Sequence, residues 1–391
     1  MAALIGVVLI GMTGFGIFLP IFPFLALEVG GTPTTTTIAM GAYSFGQLIA
    51  SPFWGRLSDR VGRKPVLIAG LIGSVLSYLW IARAGSVEEL GAARLFGGLM
   101  AGNVGAAFAA AADLSDDKTR ARNMGLLGAA VGFGFIAGPA LGALLIGDVA
   151  PDREAFARVC LASAALAGVA VLVAFALFRE SLPKDQRRAA GAERPRNRVL
   201  LMQKPLLTRF VLVMFLMIAA QALMETTFGL WADVELRWGP HEVGWTLAAL
   251  GVGAVLLQGG GAGAASRALG ERMTLMIGLV LFAAGLGGLG VAHEPSTMAA
   301  ALVAFVLGVG LAMPALNALI AAQAAHDERG AVMGLSQSAG ALGRVAGPLG
   351  AGALFDGFGS GAPFVAGALL ILVALFVTLG EPSKSVIGAP D

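Results

Sequence analysis

The chain has 391 residues, of which 57% are hydrophobic and only 13% are charged. Soluble globular proteins carry roughly 25% charged residues, so one soluble core could not bury this much apolar surface. A bilayer can, because each spanning helix needs about 20 apolar residues. The composition therefore excludes a soluble protein and predicts an all-α polytopic membrane protein, and the single cysteine excludes a disulfide framework within the chain.

Twelve apolar runs follow one another along the chain, and we predict them as transmembrane spans 1 to 12. They lie near residues 3–27, 35–54, 65–82, 90–112, 123–146, 157–178, 209–232, 243–265, 273–292, 297–325, 331–355 and 362–380. Several glycines between 259 and 263 blur the end of span 8. Six spans precede a polar gap and six follow it.

The polar gap, Arg179–Phe210, carries nine Lys or Arg against three Asp or Glu, together with three prolines. Such a composition is typical of a flexible connection. We therefore expect a six-helix bundle in residues 1–180, a cytoplasmic linker in 181–208 and a second six-helix bundle in 209–391.

The distribution of basic residues predicts the orientation. With a cytoplasmic N-terminus, the loops and tail on that side hold twenty Lys or Arg, and the opposite loops hold four. Short cytoplasmic loops are enriched in Lys and Arg, so we expect a multi-pass protein of the cell (inner) membrane with both termini in the cytoplasm. This bias also explains the sequence pI of about 8.9 without nucleic acid.

The two halves repeat each other. Met124-Gly125 precedes Gly138-Pro139 in span 5, and Met333-Gly334 precedes Gly347-Pro348 in span 11 at the same spacing. The offset is 209 residues in both cases. Halves with the same orientation are parallel repeats, related by an axis along the membrane normal, and such proteins bind substrate near the midplane between the repeats.

The loop between spans 2 and 3, Gly55-Arg-Leu-Ser-Asp-Arg-Val-Gly-Arg-Lys-Pro65, resembles the signature loop of the major facilitator superfamily. Arg94-Leu95-Phe96-Gly97-Gly98 in span 4 is similar to the arginine motif of that family. Pro20-Ile21-Phe22-Pro23 at the end of span 1 is similar to tetracycline/H⁺ antiporters. A group of span-5 residues resembles the antiporter motif of the twelve-span drug/H⁺ antiporter branch, and it consists of Gly128, Gly132, Gly138, Pro139 and Gly142.

The resemblance covers essentially the whole chain and implies twelve helices in two six-helix bundles with pseudo-two-fold symmetry. It implies transport of a small molecule by alternating access, with a proton gradient as the energy source and no cofactor. We expect a monomer whose partners are the lipid bilayer and the substrate.

The signature loop also suggests a cytoplasmic gate. An aspartate near a helix N-terminus gains from the helix dipole, so Asp59 and its arginines could close a latch where spans 2 and 11 meet. A solvated basic anchor is the alternative interpretation. The predicted gate motif consists of Gly55, Asp59, Arg60, Gly62, Arg63 and Asp113. The span-5 glycines are predicted to form one smooth face at the interface of the halves, with a bend at Pro139, or else to serve ordinary helix packing.

Three ionisable residues lie well inside apolar spans, where a charge costs about 2.5–3.5 kcal/mol on insertion scales. They are Arg94 in span 4, Glu225 in span 7 and Arg344 in span 11. Glu225, one turn after Gln221, could exchange a proton for substrate, or could form a structural ion pair with either arginine. Further candidates for proton or substrate binding are Gln221, Asn317, Tyr43, Gln47 and Gln337.

Other chemistry is not indicated. The three histidines are far apart, and neither a P-loop nor a hydrolytic Ser/His/Asp set is present, so we predict no enzyme and no metal site. Gly11 stands where tetracycline antiporters carry an aspartate, and spans 3 and 9 contain no acid, so the family's usual proton carriers are missing.

The preferred hypothesis is a proton-coupled exporter of a small drug-like or polar compound. The alternatives are a transporter of an organic anion or phosphate-bearing solute that uses Arg94 and Arg344, and a membrane sensor without transport.

Overall fold

The computed structural model describes residues 1–116, 118–147, 151–183, 187, 204–324 and 328–380, and these residues form helices and no strand. In the first half of the chain the helices are α1 Ala2–Phe18, α2 Phe22–Glu28, α3 Pro33–Val61, α4 Arg63–Ile81, α5 Val87–Met100, α6 Asn103–Asp113, α7 Arg120–Ile146 and α8 Arg153–Leu177. In the second half they are α9 Pro205–Leu236, α10 Pro240–Leu256, α11 Ala262–Leu269, α12 Glu271–Gly290, α13 Pro295–Ala322, α14 Arg329–Phe358 and α15 Ala362–Leu379.

Helix is present at each of the twelve predicted spans. Span 1 is α1 and α2, which meet at a bend of 42°, and span 4 is α5 and α6, interrupted at Ala101 and Gly102. Span 8 is α10 and α11, joined through a π-helical turn at Leu257–Gly261. By length and composition, eight helices of the described residues could cross a membrane, or nine if the bent pair is one span.

Each half packs around its own apolar side chains. In the first half, Phe18, Phe22 and Val159 belong to one buried cluster, while Leu67 and Leu127 belong to a second. In the second half, a large cluster joins α9 with α12, α13 and α15. Its large aromatic side chains, such as those of Trp231, Phe282 and Phe364, are almost wholly buried.

Two helix pairs form the main contacts between the halves: α3 packs on α14, and α7 packs on α10. Small residues make this approach possible, since a Cβ on Gly41 would lie 2.9 Å from Pro348 Cβ, and one on Gly244 would lie 2.9 Å from the Pro139 oxygen.

The second half begins earlier than its predicted first span. α9 starts at Pro205, so 205–208, which we predicted as the end of the linker, is helical. Most of the predicted linker and the C-terminal tail, 184–186, 188–203 and 381–391, lie outside the described residues. The domain boundaries therefore stay a prediction.

Candidate transport site and gate

The interface between the halves is closed at one end of the bundle and open at the other. We call the end that holds Met1 and the loop Gly55–Pro65 the motif end, and the opposite end the far end. Gly352 packs on Thr34 at the far end, and near the middle a Cβ on Gly132 would still reach Val255.

Beyond this point the halves separate. One and two turns further toward the motif end, Gly128 and Gly125 have no atom within 4 Å of an added Cβ. The cleft between α7 and α10 therefore widens toward the motif end.

Glu225 lies on the face of α9 that is directed toward the first half. One turn later on the same helix, an added Cβ on Gly229 would lie 3.2 Å from Pro23 of α2. The Glu225 side chain is exposed, and Gln221 Nε2 donates a hydrogen bond of 2.8 Å to its Oε1. Gln221 and Glu225 thus lie on one helical stripe, as their spacing of four residues indicates, and this bond joins them.

Arg344 is near Glu225 but does not pair with it. Arg344 is exposed on α14, and its charge acts on Glu225 through space. Within the part of the chain that the structure describes, no salt bridge joins Glu225 to Arg344 or to Arg94. The structural ion pair that we considered from the sequence is therefore not formed in this conformation.

Arg94 lies in an aromatic cage. It is 6% exposed, and its guanidinium carbon lies 5.8, 5.5 and 5.6 Å from the ring centres of Phe15, Phe18 and Phe22. The ring of Tyr43, from α3, is closer at 4.6 Å. Aromatic faces attract a guanidinium, whereas the buried Nε has no hydrogen-bond partner.

The predicted polar residues thus fall into separate groups. Tyr43 packs against the guanidinium of Arg94, and Gln221 is hydrogen-bonded to Glu225. Gln47 is half-buried one turn along α3, and Gln337 is exposed on α14. The buried Oδ1 of Asn317 on α13 has no hydrogen-bond partner.

The sequence did not identify the cage residues Phe15, Phe18 and Phe22. Their spacing of three and four residues places them on one face of span 1, and this was the available signal. The bend between α1 and α2 lies between Phe18 and Phe22 of the cage, and Pro23, the next residue, faces the Glu225 helix. Span 1 therefore contacts Arg94 directly and packs on α9 one turn away from Glu225.

The gate motif forms an ion cluster within the first half. Arg63 Nη1 donates to Asp59 Oδ1 at 2.7 Å, and Arg63 Nε donates to Asp113 Oδ2 at 2.8 Å. Arg60 is exposed and Gly55 is half-buried. The cluster that the sequence suggested is present, and because this end of the bundle is open, its role as a latch stays a prediction.

Glu180, which the sequence did not single out, fastens this loop to the end of α8. Its two carboxylate oxygens accept hydrogen bonds from the backbone nitrogens of Arg63, at 2.8 Å, and Lys64, at 3.2 Å. Lys64 Nζ donates in turn to the Phe175 oxygen at 2.8 Å. The first helical residues of α4 have no partners within their own helix, so Glu180 caps the helix that begins the gate.

The second half repeats this loop with its charges exchanged. Ser58 accepts from Arg63 in the first half, and Ser266, 208 residues later, donates to Glu271. A cavity of about 330 Å³ lies beside this second loop, lined by Arg267 and Glu271 among others.

The predicted single glycine face of span 5 is wrong. Gly138 and Gly142 pack against Gly16 and Ile17 of α1, within the first half, whereas Gly132 faces α10. Six residues separate Gly132 from Gly138, which turns the helix by about 240°. The motif therefore serves two helix contacts, and only its Gly132 side and the Pro139 carbonyl lie at the interface of the halves.

Comparisons with known proteins agree with this architecture. The family model described as Major Facilitator Superfamily matches residues 4–235 and 213–389. Tetracycline resistance protein, class G, of Vibrio anguillarum is 30% identical over 390 residues, covering 96% of both chains. The class C protein of Escherichia coli is 29% identical over 382 residues, covering 95% of this chain and 94% of the relative.

Solved structures show the same fold. The human organic anion transporter MFSD10 superposes with a TM-score of 0.70 at 24% identity, over 96% of this chain and 98% of that one. The nucleoside transporter NupG superposes with a TM-score of 0.78 at 13% identity, over 97% and 98%. The chain is a multi-pass membrane transporter and not an enzyme, and it belongs to the major facilitator superfamily.

Proposed function

We propose that this chain is a proton-coupled exporter of a small drug-like or polar compound, working by alternating access. The observation that carries the proposal is the position of Glu225. This carboxyl group lies well inside a membrane helix, faces the other half, and is held by an amide instead of an arginine. An ionisable group within a membrane span is costly and is a functional candidate by default.

The proposed cycle follows from the position of the cleft. With the motif end in the cytoplasm, as the basic loops predict, the described conformation is open to the cytoplasm. Substrate enters the cleft there and displaces the proton from Glu225. The halves then rock, the far end opens, and a proton from outside returns to the carboxyl group as the substrate leaves. The proton gradient supplies the energy, and no cofactor is needed.

We further propose that the protein lies in the inner membrane as a monomer with both termini in the cytoplasm. The support is the excess of Lys and Arg in the loops of the motif end.

Glu225→Gln tests the proton coupling. In proteoliposomes with an imposed pH gradient, this variant should lose gradient-driven accumulation of substrate and keep exchange of substrate for substrate. The matched control is Asp233→Asn, which removes an acid near the end of the same helix. Unchanged gradient-driven transport in Glu225→Gln would exclude this residue as the coupling site.

The substrate is best sought by ligand-dependent stabilisation, because a ligand that binds the folded form raises its apparent stability. Purified protein is heated with tetracycline, cationic drugs, neutral antibiotics or organic phosphates at two pH values. Tetracycline is the first probe, since two relatives are tetracycline resistance proteins. The absence of the family's usual acids predicts that other compounds stabilise the protein more.

A second candidate function is transport of an organic anion. It is supported by two arginines, Arg94 and Arg344, neither of which forms a salt bridge in the described part of the chain. Arg344→Glu should then abolish stabilisation by organic phosphates and leave stabilisation by cations intact. Equal loss for both classes of ligand would contradict an anion site.

A further inference from the structure

The N-terminus of α3 is completed by a residue from the other half of the protein. The first four N–H groups of a helix have no partner within the helix. In α3, Pro33 has no N–H group, and Thr35 N donates to the Thr32 side chain at 3.2 Å. The remaining early donor, Thr34 N, donates to Asp356 Oδ2 on α14 at 3.1 Å.

The Thr34 hydroxyl strengthens this contact. It donates to the same Asp356 oxygen at 2.5 Å. Asp356 is in the last turn of α14, where the negative end of its own helix dipole is unfavourable for a carboxylate. The positive end of the α3 dipole is favourable for it. The carboxylate therefore gains two hydrogen bonds from the opposite half, together with a favourable interaction with the dipole of α3.

The surrounding contact is tight and depends on closure of the far end. A Cβ on Gly352, one turn before Asp356, would lie 2.3 Å from Thr34 Cα and 2.4 Å from Thr37 Oγ1. Thr37 itself is fully buried. When the halves separate here, Thr34 loses both bonds to Asp356 and Thr37 becomes accessible.

We propose that Asp356 is a positioning residue for the transport cycle, a far-end latch whose carboxylate caps α3 and holds the far end shut while the motif end is open. Helices α3 and α14 run antiparallel. Asp59 ends α3 at the motif end, and Asp356 ends α14 at the far end. Each of the two helices thus carries an acid in its last turn, and the described conformation uses the far-end acid to join the halves. This proposal does not depend on which solute is carried or on proton coupling.

The experiment measures accessibility at both ends of the interface without substrate. Purified protein in detergent carries Cys160→Ser, which removes the native buried cysteine, and one introduced cysteine, from either Thr37→Cys or Gly128→Cys. The first position reports opening of the far end, and the second, on the open part of α7, reports closure of the motif end. The rate of reaction with a bulky maleimide is followed for each.

Asp356→Ala should raise the labelling rate at position 37 about tenfold or more, because hydrogen bonds to a carboxylate commonly contribute that factor to an equilibrium. Labelling at position 128 should fall at the same time, because closing the motif end covers it. Asp356→Asn keeps an acceptor and should have an intermediate effect. Thr34→Val should resemble Asp356→Asn, and Thr34→Ser should behave as the unaltered protein.

Glu294→Gln is the control for loss of an acid at the far end, since Glu294 precedes α13 within the second half. It should change neither rate. Unchanged labelling at position 37 in folded Asp356→Ala would overturn the proposal. A parallel rise at both positions would also overturn it, since that indicates loosening of the whole fold. If Asp356→Ala does not fold, Asp356→Asn and Thr34→Val decide in the same way.

Discussion

Glu180 caps the N-terminus of α4 at the signature loop, and the equivalent loop of the second half provides a control that tests the effect of this cap. Gly62 and Gly270 occupy equivalent places, each between two helices, with φ of 110° and 79°. Both have ψ near 160°, a region that is open almost only to glycine. The two positions differ in their surroundings: a Cβ on Gly62 would lie 2.2 Å from Glu180 Oε2, whereas Gly270 has no atom within 4 Å.

Alanine at either position should cost about 1–3 kcal/mol of stability for the backbone alone. Gly62→Ala must also push the Glu180 carboxylate away from the nitrogens of Arg63 and Lys64. A hydrogen bond to a charged group contributes about 1.5–3 kcal/mol, and water can replace part of it at this half-buried site. We therefore expect an additional loss of about 2 kcal/mol for Gly62→Ala, or a melting temperature lower by about 2–4 °C than that of Gly270→Ala.

The assay is the thermal unfolding of both variants in the same detergent, repeated in a Glu180→Ala background. Without the carboxylate, Gly62→Ala should lower the stability no more than Gly270→Ala does. The Glu180→Ala background already lacks both the clash and the hydrogen bonds to Arg63 and Lys64. Equal melting temperatures for Gly62→Ala and Gly270→Ala with Glu180 present would refute the reasoning. So would a penalty at position 62 that survives removal of Glu180.

Two further predictions concern the interface and the gate. Gly352→Ala should increase far-end maleimide labelling at least about fivefold, since overpacking against the backbone of Thr34 costs about 1–3 kcal/mol. Gly350→Ala, where no atom lies within 4 Å, should leave labelling unchanged and slightly stabilise the helix. Arg63→Lys should slow transport by about two- to tenfold without unfolding the protein, because an ammonium cannot donate to both aspartates in the fixed geometry of a guanidinium. Transport rate and melting temperature together check this, and an unchanged rate would contradict it.

Much of the fold could be predicted from the sequence because a bilayer leaves few alternatives. Every backbone polar group within the membrane must be bonded internally, so long apolar runs become helices. The repeat at an offset of 209 residues between Gly138-Pro139 and Gly347-Pro348 also indicated equivalent helices in the two halves.

The candidate site was only partly predictable. Gln221 and Glu225 are one turn apart on one helix, so helical geometry alone brings them together. The partners of Arg94 could not be predicted in this way, because the cage combines α1, α2 and α3 around a residue from α5. From the sequence we considered an anion site or an ion pair with Glu225 for this arginine, and the structure places aromatic faces there. Contacts between helices that are far apart in the sequence produce no local sequence pattern from which they could be predicted.

Among the described residues, predicted spans 2, 8 and 11 contain no helix that is long and apolar enough to cross a membrane, even when the bent pair of span 1 is counted as one span. They correspond to α3, to α10 with α11, and to α14. The helices α3, α10 and α14 belong to the two main helix pairs between the halves, whereas α7, the fourth helix of these pairs, is long and apolar enough to cross a membrane. A helix facing lipid must be apolar, whereas a helix facing a second half that separates in the proposed cycle must tolerate water on that side. Threonine, serine and glycine meet this need and also permit close packing. The weak hydropathy of α3 and α14 therefore agrees with the proposed alternating access, whereas span 8 falls outside the count because α10 ends after 17 residues at the π-helical turn.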